Sequence, residues 1–479
     1  MTTGQDAPTA TATPVPTSTP TPTATNTPQP TPTHTPSPTH TLTLTATPTA
    51  TPAHPVQLYK SSITLNTIPW QAYFTPAHDE TTGWDYQKFN RDAWQAAHPP
   101  AQPQTYQLIN LENHWLHLTL LPQLGGRIYQ LIFKPTGSNQ LYQNPIIKPS
   151  PWGPGPRGNG WIAAGGIEWC LPVSEHGYAS NEPWGFITLP GSSQQAVTLF
   201  DHHQQSVHLS VTVTLHPETA HFTLDFALDN ESQRAIPISY WTNAMLAPGP
   251  GNSAGPDTHF IYPIQQATLH STGNPALPDP GQALNWPIHQ GQDLSRLGNW
   301  QQWLGFFARP QASANWAAIY DTAADEGVVR IFPANMTPGL KGFGFGWADP
   351  IDPQNYTNDA SAYVEMQGGI TPTYDNTLTL QPGDSYTWQE TWYPVAGIHG
   401  ISAANATGAA YLSHDPSGWQ LHLFSTRSLS GEISIRDATG NVLRSPLTLL
   451  PGKAAHLPLG NSHPPIDFQL ESWQLSGLQ

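Results

Sequence analysis

Two carboxylates carry the chemistry that this sequence offers. Glu168 stands in Gly165-Gly166-Ile167-Glu168-Trp169-Cys170, an apolar run opened by a glycine pair. Beyond Pro172 the chain enters a loop bearing Glu175, His176, Tyr178 and Trp184. Apolar neighbours disfavour an ionised carboxyl group and raise its pKa, which suits a general acid. The competing structural reading pairs Glu168 with Arg127 or Arg157 and makes it a fastener of a corner. Glu365 lies on an alternating stretch, with Tyr363 and Gln367 on its own face and Val364 and Met366 on the other. Its structural reading is a solvent-facing strand residue or the partner of a nearby arginine. If both carboxylates face one cleft, they form the pair that glycosidic cleavage uses, about 5 Å apart in retaining enzymes and about 6.5–9.5 Å apart in inverting ones.

Histidine supplies the other titratable group near neutrality. His176, His270 and His289 are candidates, each weighed against the plain alternative of an exposed loop residue in a chain with 21 histidines. No His-x-x-x-His or clustered Asp/Glu/His spacing marks a metal site, and no cofactor motif is present. Sugars present flat C–H faces and rings of hydroxyls, so their sites combine aromatic platforms with polar partners. Trp152, Trp161, Trp184, Trp286, Trp300 and Trp347 all fall in or beside Gly/Pro-rich segments, which favours a saccharide cleft.

The elements that must position these groups are strands. Leu116, Leu118 and Leu120 alternate with His117 and Thr119, and Gly125-Gly126 turns the chain into a second strand over 127–133. Val207 to Leu215 and Phe222 to Leu228 alternate around His216-Pro217-Glu218-Thr219, which predicts a hairpin with one buried face. Further strands are expected over 235–242, 316–320, 328–332, 361–366 and 378–392, and a short helix over 90–97. The segment 248–299 is rich in Gly, Pro and Asn and reads as a long loop or lid. Beyond Gly397 short, evenly spaced strands predict a small immunoglobulin-like β-sandwich.

Composition bounds the partners. Lys plus Arg number 16 against 32 Asp plus Glu, for a net charge of −16, and no basic cluster occurs, which argues against nucleic acid. Cys170 is the sole cysteine, so no intrachain disulfide forms, and its apolar setting predicts an inert buried thiol. No apolar run of transmembrane length is present. Residues 1–55 are almost wholly Thr, Pro, Ala and Ser and predict a disordered, semi-extended spacer. A spacer of this kind holds a domain away from a surface. The expectation is an extracellular or cell-surface protein whose leader is trimmed, since no basic region followed by an apolar one opens the sequence.

Several motifs in order resemble a family known as a domain of unknown function, DUF5107, within the galactose-mutarotase-like superfamily. They are Leu111-Glu112-Asn113 with Leu121-Pro122-Gln123-Leu124-Gly125-Gly126-Arg127-Ile128, Tyr142-Gln143-Asn144-Pro145, Gly165-Gly166-Ile167-Glu168-Trp169, Trp241-Thr242-Asn243, Tyr363-Val364-Glu365-Met366-Gln367-Gly368-Gly369, and Trp388-Gln389-Glu390-Thr391-Trp392-Tyr393-Pro394-Val395. The resemblance covers residues 57–397. It implies an all-β supersandwich over 56–397, followed by the small sandwich over 398–479, with a saccharide site on a concave sheet. It also implies a glutamate base in a Glu-x-Gln setting, matched by Glu365-Met366-Gln367. The histidine acid of the resembling epimerases is not matched, because Ala244 follows Asn243 at that place.

The candidate catalytic residues are therefore Glu365, Glu168 and His176. Candidate sugar contacts are Arg127, Trp161, Trp169 and Trp184 from the first half, with Asn243, His270, Trp347 and Gln367 from the second. Three functions follow: a carbohydrate-binding protein without turnover, a glycosidase- or epimerase-type enzyme using Glu365 with Glu168 or a histidine, or a structural surface protein with a vestigial cleft. The expected partner is a mono- or oligosaccharide.

Overall fold

The computed structural model describes residues 55–479 apart from 154–159, 174, 192–193, 203–205, 310–311, 313, 462 and 479. The Thr/Pro-rich segment up to residue 54 and Arg157 thus lie outside the described residues. Two antiparallel-dominated sheets of thirteen and eight strands form the body of the protein. The all-β supersandwich expected from the motifs is present.

Alternation builds the smaller sheet. In the hairpin Val207–Leu215 and Phe222–Asn230, Val207 lies opposite Asn230 and Leu215 opposite Phe222. Val207, Leu209, Val211 and Val213 are buried on one face, and Phe222, Leu224, Phe226 and Leu228 continue that face. At about 25 cal/mol per Å2 of buried apolar surface, this inner face is what holds the hairpin on the larger sheet. Trp388 stacks on Phe226 with ring centroids 4.6 Å apart, and Trp169 of the larger sheet meets Phe226 edge-on at 5.7 Å.

Four strands lie side by side in the larger sheet and position the cleft: Ile162–Cys170, Trp241–Leu246, Val364–Gly369 and Gly339–Gly344. Leu304–Phe307 and Gln266–Thr272 continue the row. The first three are buried along their whole length, and the fourth is buried except at the half-buried Phe343, because one face packs on the smaller sheet and the other lines the cleft.

Some expectations required correction. The strand expected over 378–392 is two elements. Leu378–Leu380 pairs with Ile236–Ile238 in a separate two-stranded sheet, and Ser385–Ala396 enters the eight-stranded sheet after the Pro382-Gly383 turn. The segment 248–299 is not one loop, since it contains Thr258–Ile261 of the smaller sheet and Gln266–Thr272 of the larger. The helix forms over Arg91–Ala97, capped by Asn90, whose side chain accepts from Ala93 N.

Beyond residue 400 two four-stranded sheets enclose a second core made by Leu421 and Leu423 from one sheet and Ile433, Phe468 and Trp473 from the other. This is the small C-terminal β-sandwich. It touches the body through Phe424, whose ring meets Phe133 at 5.9 Å. Among the described residues no helix is long and apolar enough to cross a membrane.

Candidate functional site

Register brings the polar residues together. Asn243 lies directly opposite Glu168 on one side and Gln367 on the other, and Gln367 lies opposite Lys341. One position pair along, Glu365 is flanked by Met245 and Phe343. Directly opposed residues of antiparallel strands point to the same face, so Glu168, Asn243, Gln367 and Lys341 form one row across four strands, with Glu365 in the next. The intervening residues Ile167, Ala244 and Met366 face the core between the sheets and are fully buried.

The row opens into a cleft of about 690 Å3. Trp152, Trp161, Phe343, Phe345 and Tyr374 supply aromatic walls, and Glu365, Gln367, Lys341, His176, His270 and Glu175 supply polar groups. Gln367 donates from Nε2 to Glu365 Oε2 at 2.6 Å and accepts from the Tyr374 hydroxyl. Both ends of the amide are thereby used, and Glu365 is held at the floor of the cleft, nearly buried.

Glu168 sits behind this surface, with no exposure of its own. Trp161 Nε1 donates to Oε2 at 3.0 Å, Asn243 Nδ2 donates to Oε1 at 3.2 Å, and His176 Nδ1 lies 2.7 Å from Oε1. Arg127 Nη2 stands 3.6 Å from Oε2. Burial pushes the carboxyl upward, but the charge and hydrogen bond of His176, the Arg127 guanidinium and the Trp161 donor together hold it below the usual range. The general-acid expectation for Glu168 is therefore corrected. A carboxylate held ionised has no proton to give, and Trp161 and His176 stand between it and the cleft. The two-carboxylate glycosidase arrangement does not describe this site.

The same contacts organise His176. An ionised carboxylate only accepts, so Nδ1 of His176 carries the proton and Nε2 is left for the cleft. The imidazole stacks on Trp161 with centroids 3.9 Å apart. Glu175, His176 and Gly177 all have positive φ, at 56°, 70° and 60°. Two consecutive non-glycine residues in the left-handed region carry strain of order 1–2 kcal/mol each, and such strain persists where surrounding contacts over-determine it. Here the Glu168 bond and the Trp161 stack do so.

The remaining cations differ in kind. Arg127 is fully buried and donates to the carbonyls of Leu124, Gly165 and Ser180, so it positions the corner beneath Glu168 and is no sugar contact. Lys341 is almost completely buried, and its ammonium lies 4.9 Å from the Tyr374 ring centroid and 5.4 Å from that of Phe343. Among the described residues it has no ion-pair or hydrogen-bond partner. Burial lowers its pKa, against the opposing pull of Glu365 and Glu175. His270 lines the cleft with Nε2 3.7 Å from Glu175 Oε1. Burial and the Lys341 charge push it down to about 4, so it is neutral at pH 7.

Of the expected sugar contacts, Trp161, His270 and Gln367 line the cleft, and Asn243 lies in its floor row. Trp169 and Trp184 are core residues. Trp169 alternates with Glu168 and so faces the opposite way, its Nε1 donating to Gly126 O at 3.0 Å, and Trp184 Nε1 donates to Ala179 O at 3.1 Å. Trp286 and Trp300 belong to the same core, while Trp347 is exposed and does not line the cleft. His289 also lies outside it, with Nδ1 accepting from Asn285 N. Ala244, at the place expected for an acid histidine, faces the core, where an imidazole would meet no ligand. Sequence reasoning missed Lys341, Tyr374, Phe343 and Phe345. The one legible signal was Leu340-Lys341-Gly342-Phe343-Gly344, a lone lysine alternating with small residues.

Solved structures with a related architecture include a TPR-domain containing protein from Parabacteroides distasonis ATCC 8503, with a TM-score of 0.59 and 22% identity over 74% of this chain. This chain spans 58% of that protein's length, and at that identity the likeness concerns the fold. A putative mutarotase from Salmonella typhimurium overlays with a TM-score of 0.42 and 10% identity, covering 68% of this chain and 97% of the other. A putative aldose 1-epimerase from Escherichia coli K12 gives 0.42 and 15%, covering 60% and 99%. Residues 84–395, more than half of the chain, match the family described as Domain of unknown function (DUF5107), and the protein belongs to that family.

Proposed function

We propose that the cleft binds a mono- or oligosaccharide. The observation that carries this reading is the cleft's composition. Aromatic faces from Trp152, Trp161, Phe343 and Tyr374 surround a floor of Glu365, Gln367 and the Lys341 ammonium. Aromatic faces suit the C–H surface of a pyranose, and a carboxylate, an amide and a cation at the floor suit its hydroxyls. The Thr/Pro-rich segment supports an extracellular or cell-surface setting in the same proposal. Protease shaving of intact cells, followed by detection of the protein, tests that placement.

A second reading adds turnover, favoured by the carboxylate-held imidazole of His176 in the same cleft as Glu365. In this reading Glu365 takes the proton from the anomeric hydroxyl of an aldose while His176 Nε2, protonated, gives one to the ring oxygen. The C1–O5 bond breaks, and rotation about C1–C2 precedes reclosure, during which both protons return. Atoms and charge balance over the cycle, and no other reactant enters. Interconversion of anomers, followed by NMR on a panel of aldoses alongside calorimetric binding, separates the readings. Binding without faster anomer exchange supports recognition alone. Faster exchange abolished by Glu365→Gln supports turnover. Neither binding nor exchange across neutral and acidic sugars overturns both.

A further inference from the structure

Away from the cleft, three histidines from distant parts of the chain converge. His399 follows the strand Ser385–Ala396, His422 lies on Gly418–Ser425 and His456 on Ala454–Gly460, where His422 and His456 are direct cross-strand partners. One ring nitrogen from each lies within 4.8 Å of the others. His422 Nδ1 and His456 Nδ1 are 2.7 Å apart. We propose that His399, His422 and His456 form a binding site for a divalent transition metal ion.

The outward nitrogens argue for this. His399 Nδ1 lies 3.1 Å from Asp325 Oδ2, and His422 Nε2 lies 2.8 Å from Ser413 Oγ. The Asp325 carboxylate accepts the proton of His399 Nδ1 and leaves that ring's Nε2 with its lone pair, and Ser413 holds the outer nitrogen of His422, which is the outer-shell arrangement of metal-bound imidazoles. Asp325 is itself fixed, accepting from the Tyr320 hydroxyl and from His399 N through Oδ1. In the metal-free protein one imidazole donates to the other across the 2.7 Å Nδ1–Nδ1 contact, and a bound cation takes the place of that shared proton.

The donor set names the ion class. Imidazole nitrogens without a ligating carboxylate or thiolate suit Zn2+, Co2+, Ni2+ or Cu2+ and do not suit Ca2+ or Mg2+. Bonds of about 2.0–2.1 Å set the ring nitrogens roughly 3.3 Å apart in a tetrahedral site, so the His422–His456 pair opens from its 2.7 Å separation. His399 and His456 are exposed and free to make that movement. Solvent supplies the fourth ligand. Asp325 belongs to the turn between two strands of the eight-stranded sheet, and His422 and His456 belong to the C-terminal sandwich, so the bound ion links the two.

The test uses the full chain, free of affinity tags and stripped with a chelator, titrated with Zn2+ by calorimetry and with Co2+ by visible absorption at neutral pH. One ion per chain is expected, with a Co2+ spectrum of nitrogen-ligated tetrahedral type and a thermal midpoint that rises by several degrees with Zn2+. His456→Gln and His399→Gln, both at exposed positions, are expected to weaken binding at least tenfold and to remove the thermal shift. His422→Ala is buried and serves only as a supporting variant. Absence of stoichiometric binding in the wild type, or affinity unchanged in His456→Gln, overturns the proposal.

Discussion

His176 Nδ1 lies 2.7 Å from Glu168 Oε1, and through this bond a buried carboxylate orients an imidazole at the wall of the cleft. Glu168 is also the counter-charge of Arg127, which has no exposure. Glu168→Gln leaves that guanidinium buried without its carboxylate, and stability is expected to fall by about 3–5 kcal/mol. Urea unfolding of the two proteins at neutral pH measures the difference.

That difference depends on pH in a defined direction. The folded Glu168 carboxyl titrates below the unfolded one, so as the pH falls the unfolded chain takes up this proton first. The stabilisation is complete above the usual glutamate value of about 4.5 and is lost as the pH falls through the lower folded value. The gap in unfolding free energy between wild type and Glu168→Gln is expected to narrow as the pH falls below about 5. A gap that widens below about pH 5 contradicts the assignment.

If the cleft turns over an aldose, Glu365→Gln and His176→Gln each remove one proton carrier. Anomer exchange is then expected to slow by about 10²–10⁴-fold in either variant, with saccharide affinity changed much less. Near-wild-type rates in both variants exclude the proton-transfer reading and leave recognition standing.

Lys341 separates binding from folding. Its ammonium is buried between Tyr374 and Phe343 and, among the described residues, has no anionic partner at contact distance. Lys341→Met removes a desolvated charge and keeps the stem's volume, so the thermal midpoint is expected to stay level or rise. Saccharide affinity is expected to fall by about tenfold or more, the worth of one hydrogen bond from a charged donor. Differential scanning calorimetry and isothermal titration report the two effects separately.

Gly368 and Gly383 are glycines for different reasons. A Cβ on Gly368 lands 2.0 Å from Nη1 of Arg330, whose guanidinium is fixed by two hydrogen bonds to Glu390 in the sheet-to-sheet core. Gly368→Ala forces that buried pair apart, and a loss of about 3–5 kcal/mol is expected. Gly383 has open space around it but a φ of 82°, so Gly383→Ala is expected to cost only about 1 kcal/mol. Chemical denaturation of both variants tests the ranking.

Alternation made much of the fold legible. The hairpin at Val207–Leu215 and Phe222–Asn230 follows from period two alone, and the same parity places Glu365 with Gln367 away from Met366. Parity was also available for Trp169, one residue from Glu168, yet an indole suits a sugar platform and a core equally, and only the packing of the second sheet decides between them. Lys341 was not legible because its role comes from lying opposite Gln367, a pairing between strands that sequence order does not announce. His270 was legible as a cleft residue but not as a strand residue, since the Gly/Pro-rich composition around it masks the seven residues of Gln266–Thr272. Glu168 was found by its motif and misjudged in its protonation, because the donors that hold it, Trp161, His176 and Asn243, become its neighbours only through folding. The histidine trio is invisible for the same reason.

The row from Glu168 through Asn243 and Gln367 to Lys341 ties ligand chemistry to chain registration. Sliding any one of these strands by a single residue would carry Ile167, Ala244 or Met366 out to the solvent side and drive a polar group into the apolar interior. A chain that misaligns its sheet therefore does not persist as a folded but inert species. The same hydrophobic penalty that rejects the wrong alignment also inspects the cleft, so every molecule that survives folding carries its polar floor fully assembled.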